Sequence, residues 1–542
     1  MFQDIKKQIT FFLKNKWYVI SIIFAAIAGY GYEITHTSMG IDDVCINIYF
    51  DDGLGVAIGR WPFYLINKVF HVTGFQPFMV ELMAVCILCF ASILWAGVLR
   101  YIIGDKLPVI CYIAFSAMFL DYPLIAEVFI FYLQNGIAFI YAFIAIAIFD
   151  FYYIQTHKIE KKQRIIHILC SSIIVSAAIG FYESAANVYL FAVILMMLID
   201  CIGEKRLNLS TLKNLFFTLF LMARILVYAI VERTLITRLC RAVFDIESYG
   251  YRSVQNALWI FRYPGRIQTI VRQIIRDYYV AGTKFYPITL FVLASLFFGV
   301  LVLAYTIYKK NGYIFLLGIG LYLSLFILSI PQGEVLPYRT NQMLSLFVAF
   351  ALFEFCVIVQ KCRYRLIRVL GMILAVSFIY NAAFDLNGWF AFEYQKNQAE
   401  LAVIDNIAYE LQKGYDIENK PVVFIGEYQL GSATLDKCSI HSGDAGYQTI
   451  KSLNDWMEIE TGEQYVYTQT LSESVVDWAI WGFSRYEGYN REMIRLFAAR
   501  GCQLLWGGNE LYEKALEREE ELNRYPVNGY IKEYEDYIVV RF

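Results

Sequence analysis

Eleven stretches of this chain are apolar over the length of a bilayer crossing, or nearly so: residues 17–34, 77–99, 107–121, 136–155, 165–181, 183–202, 213–231, 286–308, 313–330, 341–360 and 366–384. A hydrocarbon core about 30 Å thick takes roughly 20 apolar residues of helix, and inside it every backbone N–H and C=O must find its partner within the protein. A chain that crosses so often has one practical solution, and the expected fold is an α-helical polytopic membrane protein with about eleven spans. The third and fifth stretches are short for the task. Composition agrees: 58% of the 542 residues are hydrophobic and 17% charged, outside the range of soluble domains.

Short loops set the orientation. With the N-terminus inside, the helix ends on that side carry 19 Lys and Arg, from Lys6 and Lys7 to Arg365 and Arg368, against three on the other: Arg60, Lys68 and Arg339. Such cations gather on the cytoplasmic side. The expected location is therefore the cell membrane, with residues 35–76, the turn at 121–135, the long loop 232–285 and everything after Asp385 outside. The leading "MFQDIKKQITFFLKNKW" lacks a small-residue cleavage site and reads as a basic amphipathic segment that stays cytoplasmic.

Charge also divides the chain. Residues before Asp385 hold 32 Lys and Arg against 21 Asp and Glu, and those from Asp385 onward hold 14 against 27. This suggests a transmembrane domain, 1–384, and an external domain, 385–542. In the latter, "KPVVFIGEY" reads as a strand, "YNREMIRLFAARG" as an amphipathic helix closed by Gly501, and "NGYIKEYEDYIVVRF" as a terminal hairpin, together a small α/β unit.

Several function classes drop out. No basic tract or nucleic-acid motif is present. The 11 cysteines and five histidines show no zinc spacing, and no Ser-His-Asp order, phosphate-cradling loop or dinucleotide fingerprint stands out. Cys438 and Cys502 both lie outside the bilayer and could pair.

The first external loop carries most of the chemistry. "GIDDVCINIYFDDGLGVAIGRWPFYLINKVF" holds two acid pairs, Asp42-Asp43 and Asp51-Asp52, at the membrane surface. Adjacent carboxylates can divide labour: one accepts a proton from an attacking hydroxyl while its neighbour orients a sugar or holds a metal. Equally, such pairs cap helices or solvate turns. The spacing of Val44, Ile48, Leu54, Ile58, Trp61 and Leu65 suits an interfacial helix broken near Gly53–Gly55, its apolar side in the headgroups and its acids facing a cavity. Arg60 either pins a substrate phosphate or ties to Asp51 or Asp52. Arg339 in "PQGEVLPYRTNQ" poses the same choice between phosphate and interfacial anchor.

Glu127 and Glu183 stand where spans meet the outer face, either functional or helix-capping. Arg224 and Glu354, deeper in the seventh and tenth spans, read as members of structural ion pairs. The loop 232–285 holds nine basic residues against four acidic ones, a surface suited to an anionic phosphate headgroup, with Arg272 and Arg276 as its candidate contacts.

Taken in order, three segments resemble the bacterial Gtr-type glucosyltransferases, membrane enzymes of the GT-C superfamily that decorate O-antigen and related surface glycans. "IDDVCINIYFDDGLGVAIGRW" looks like the first-loop acid motif, "GFYESAANVYLF" is similar to the Gly-aromatic-Tyr segment ending in Asn, and "LPYRTNQML" looks like the late external Arg segment. The resemblance implies a polyprenyl-phosphate sugar as donor, commonly the glucose form, and a surface glycan hydroxyl as acceptor. It further implies Asp42 or Asp43 as general base, a phosphate-steadying role for Arg339 or a cation of the long loop, and a part for Tyr182. Glu183 departs from the family pattern, where a neutral polar residue is expected. No cofactor is implied, and a divalent metal is compatible with the acid pairs. A glycan polymerase or ligase would share the donor; a flippase would need a polar track through the spans, which offer few charges besides Arg224 and Glu354.

Overall fold

The computed structural model describes residues 1–36, 38, 53–70, 77–125, 129, 134–203, 206, 207, 209, 211–247, 266–275, 278, 279, 288–332, 338–426, 428 and 487–542. Among these, nine helices are long and apolar enough to cross a membrane, and two shorter apolar ones take the third and ninth places in the series. All eleven expected stretches are helical. They are α2 (Lys16–Thr35), α5 (Pro77–Ile103), α6 (Val109–Asp121), α7 (Gln134–Thr156), α8 (Lys161–Phe181), α9 (Ala185–Ile202), α10 (Leu212–Phe244), α12 (Ile288–Lys309), α13 (Gly312–Ser324), α15 (Met343–Lys361) and α16 (Arg365–Gly414). The chain is a multi-pass membrane protein. Between and around the spans lie α1 (Phe2–Lys14), α3 (Leu54–Ala57), α4 (Trp61–Phe70), α11 (Arg266–Ile275) and α14 (Ser329–Gln332).

Polar residues punctuate the bundle at its helix starts. Asn15 accepts from the Tyr18 N–H, Thr211 from Asn214 and Asn311 from Tyr313, each satisfying a donor that the helix leaves orphaned. The fifth span, short by sequence, gains its missing turn from Lys161 to Arg164, three of them charged.

Within lipid, apolar surface gains little from meeting other apolar surface, so close packing and interhelical hydrogen bonds hold the helices together. Tyr18 bonds Ser116 at 2.7 Å, Tyr30 donates to the Leu120 carbonyl at 2.7 Å, and Tyr141 bonds Ser345 at 2.8 Å. Buried Asp150 takes hydrogen bonds from Ser171 and His167, joining α7 to α8. Each such bond contributes about 0.6 kcal/mol. Arg224 and Glu354 do not behave as expected: Arg224 bonds and stacks on Tyr228, one turn along its own helix, and no interhelical ion pair involves either residue among those described. Four residues of separation puts a phenol within reach of the guanidinium, which then needs no second helix.

Helix polarity fixes which ends meet. Asn387 donates to the Ala28 carbonyl, Tyr30 packs on Phe390 and Tyr32 on Tyr394, so α2 and α16 run the same way. First and last spans of eleven must be parallel. The end of α2 and the chain beyond α16 therefore share one end of the bundle.

α16 is a single helix of 50 residues. Leu386, Trp389 and Phe390 belong to the bundle core, whereas Val403, Ile404, Ile407 and Leu411 belong to a second core with β1 (Val422–Ile425) and β3 (Ile538–Arg541). The expected division at 384/385 falls inside this helix. The tail sheet has the order β1-β3-β2, with β2 being Ile531–Glu533; β1 is parallel to β3, and β2 and β3 form the expected terminal hairpin. Helix α17 (Glu487–Ala499) ends before Gly501, at φ +84°, as read from the sequence, and α18 (Gly508–Leu516) follows. Cys502 is buried in this core, and Cys438 lies outside the described residues.

Candidate functional site

Of the expected first external loop, residues 53–70 lie among those described. Gly53, at φ +73°, is the N-cap of α3, and the part of the expected interfacial helix before it lies outside the described residues; the chain turns again at Gly59, whose φ of +93° few other residues adopt, before starting α4. The apolar residues of this pair of helices face protein. Val56, Phe63 and Tyr64 are buried, Val56 and Tyr64 packing with Cys240 of α10 and Phe63 edge-on against Phe181 of α8. Protein contact replaces lipid because α10 continues past the membrane to Phe244, so the first thirteen residues of the expected 232–285 loop are helix and form a wall. Arg241 on that wall donates to the carbonyls of Val56 and Ala57, which end α3.

Gly180 sets how near α4 comes to α8. A Cβ there would stand 2.8 Å from Pro62 Cγ and 2.9 Å from Trp61 Nε1. Without one, the loop settles onto the α8–α9 junction and brings Arg60 over Tyr182, guanidinium to ring centre 4.7 Å. An Arg over a phenol face is a favourable cation–π arrangement.

Four charged side chains converge at this junction. Glu183 accepts a 2.6 Å hydrogen bond from Arg233 of α10 and lies 3.8 Å from Arg60. Arg339, in the helical turn Tyr338–Thr340, hydrogen-bonds Tyr182. Burial pushes the Tyr182 phenol up, against the opposing influence of Arg60 and Arg339, so the hydroxyl keeps its proton at neutral pH. Three guanidiniums face one carboxylate. Arg233 Nε is buried and has no hydrogen-bond partner.

The segment after Arg339 lines the floor. Asn341 donates to buried Tyr278, Gln342 Nε2 donates to the Arg339 carbonyl at 3.3 Å, and the Gln342 carbonyl accepts from Tyr141 at 2.7 Å. Asn187 packs on Met343 with its Oδ1 buried and unpartnered. Residues 180–187 and 338–343, more than 150 positions apart, thus form one surface. Oriented polar groups in a largely buried setting can hold an anion and direct hydroxyls at it.

Of the expected site residues, the structure brings together Arg60, Tyr182, Glu183 and Arg339. Arg272 is on α11, an amphipathic helix packed on α14, and is not part of this cluster. Asp42, Asp43, Asp51, Asp52, Glu127 and Arg276 lie outside the described residues. Arg233 and Arg241 were missed as individual site residues and entered only as two of the nine cations of the long loop. Their signal was helical phase, because an uninterrupted α10 puts both within reach of the first loop. Among the described residues no group of His, Cys, Asp and Glu is arranged to hold a metal.

A family model described as glucosyl transferase GtrII matches residues 31–358. No curated protein is similar enough to count as a relative. Among solved structures, the chain is similar to the Archaeoglobus fulgidus oligosaccharyltransferase tethered with an acceptor peptide containing the NVT sequon, at 10% identity and a TM-score of 0.42, over 77% of this chain and 62% of that one. The chain thus spans about three fifths of that protein's length. The family match runs from the end of the first span through the tenth and takes in every candidate residue from Asp42 to Arg339; the chain belongs to the GtrII glucosyl transferase family.

Proposed function

We propose that the protein transfers a glucosyl or related hexosyl unit from a polyprenyl-phosphate sugar to a hydroxyl of a surface glycan, at the outer face of the cell membrane, by chemistry of the GT-C kind. The observation that carries this reading is the cluster of Arg60, Arg233 and Arg339 around Tyr182 and Glu183. A polyprenyl-phosphate sugar is a phosphodiester with a single negative charge. When the acceptor oxygen attacks the anomeric carbon and the bond from that carbon to phosphate oxygen breaks, the leaving prenyl phosphate becomes a monoester of about −1.5 to −2. Guanidiniums held in place stabilise that added charge more than the donor's, and this differential lowers the barrier.

The acceptor proton needs a base on the same side of the membrane. Asp42 or Asp43 fills that role in our reading, with Asp51 and Asp52 orienting the sugar, Glu127 at the rim, and Arg272 and Arg276 meeting the phosphate as the donor arrives. A divalent metal at the acid pairs is compatible with this scheme.

The test is transfer from a prenyl-phosphate glucose to a surface-glycan acceptor, followed by mass shift, with purified protein and its Asn variants. Asp42→Asn or Asp43→Asn should lower kcat at least about a hundredfold, the usual lower end for a lost general base. Loss confined to Asp51→Asn and Asp52→Asn would move the base to the second pair. Full turnover in all four would refute a first-loop mechanism.

A further inference from the structure

At the end of the bundle opposite the Arg60–Glu183 cluster, the last turn of α15 and the first turns of α16 form a shallow, open groove of about 540 Å³. Arg365 and Arg368 line it nearest the helix start, and Val369, Met372, Ile373 and Val376 line it further along. These positions recur at intervals of one, three and four residues, so they form one stripe on α16. Gly371 lets the two helices close beneath it, since a Cβ there would stand 2.7 Å from Val359 Cγ1.

The basic end of this groove is unsatisfied. Arg368 Nε is buried and has no hydrogen-bond partner, and no described carboxylate forms an ion pair with Arg365 or Arg368. The preceding Tyr364 supplies no side-chain cap, so the first-turn N–H groups of α16 add to the positive potential. Lys361 and Arg363 stand exposed beside it.

We propose that this groove binds one anionic glycerophospholipid of the adjoining leaflet, its phosphodiester against Arg365 and Arg368 and one acyl chain along Val369 to Val376. Charge complementarity selects the headgroup. A zwitterionic lipid would bring its own ammonium toward two guanidiniums, and a free phosphate ion would gain nothing from about 10 Å of apolar wall. A buried Arg nitrogen at headgroup depth is costly unless an acceptor reaches it, and the lipid supplies that acceptor. The site lies on the helix that leads to the tail domain and shares no residue with the glycosyl-transfer cluster, so the assignment stands independently of the proposed donor and acceptor.

Native mass spectrometry of the delipidated full chain, titrated with phosphatidylglycerol, phosphatidylethanolamine or inorganic phosphate, tests this. One phosphatidylglycerol should bind in preference to the others. The Arg365→Gln/Arg368→Gln double variant should bind it at least about tenfold more weakly, given roughly 1 kcal/mol per interfacial cation. Met372→Trp, which fills the groove without touching charge, should do likewise. Lys161→Gln/Lys162→Gln, at the same end on α8, should leave binding unchanged. Equal retention of phosphatidylethanolamine, phosphate binding as tight as the lipid's, or equal loss in the α8 variant would overturn the proposal. So would undiminished binding in both groove variants.

Discussion

Gly180 is the residue on which the geometry of the site turns. Its missing side chain is filled by Pro62 and Trp61, and through them it places Arg60 on Tyr182. Proline is too stiff to yield, so Gly180→Ala should cost about 1–3 kcal/mol by overpacking and push α4 away from α8. Thermal unfolding in detergent should show the lower midpoint, and transfer assays a higher donor KM. An unchanged KM would mean that Arg60 does not meet the donor. Glu183 is a contrasting case. Half-exposed, it contributes at most about 1 kcal/mol through its pairs with Arg60 and Arg233, so Glu183→Gln should fold as the parent does. Its effect should appear in kinetics, because removing the carboxylate removes the pairs that help orient Arg60 and Arg233. A large stability loss in that variant would show that the pairing is structural.

Among elements, the short helix α3 depends on a contact from far along the chain. Arg241 donates to two carbonyls at its C-terminal end, that of Val56, which also accepts from the Gly59 N–H at 3.0 Å, and that of Ala57. Arg241→Ala should therefore loosen residues 53–60 at a local cost of about 1–3 kcal/mol, read as faster amide hydrogen exchange there with α7 unaffected. Equal exchange in parent and variant would count against this clamp. The tail hairpin offers a pH test. Lys532 and Tyr534 hold the Glu521 carboxyl below its usual range by hydrogen bonds. A depressed folded value stabilises above the unfolded one, near 4.3, and this contribution is lost as pH falls through the lower folded value. The tail of Glu521→Gln should consequently lose less stability on acidification than the parent's, and identical pH profiles would exclude the pair as a contributor.

At the scale of the whole molecule, parallel α2 and α16 put the Arg60–Glu183 cluster and the tail at one end of the bundle. The basic ends of α15 and α16 lie at the other. By the cation bias, the first end is the one expected outside. A reporter active only outside the cytoplasm should give signal when fused after Phe542 and none when inserted at Lys161; the reverse would place the cluster in the cytoplasm and remove the surface-glycan reading. α16, about 75 Å long at 1.5 Å per residue, connects the two cores without an intervening loop.

The number of spans, their helical nature and the strands of the tail were legible in the chain because each rests on local patterning: twenty apolar residues, a capping Asn, a β-branched run. The bilayer leaves such stretches one choice. The site was legible only as residue types near the surface. Which carboxylate meets Arg60, that Arg233 and Arg241 reach back to the first loop, and that Asn187 packs beside Met343 depend on helices far apart in sequence. The turn at Gly59 was not legible for the same reason, since it rests against Arg233 on the extension of α10. Sequence by itself determined the class of fold and set the expectation that the acids, Arg60 and Arg339 share one side. Tertiary structure alone decided their partners, because side-chain pairing across a bundle follows from the rotation and closeness of helices, and these are set by contacts such as Gly180 against Pro62 that no local pattern encodes.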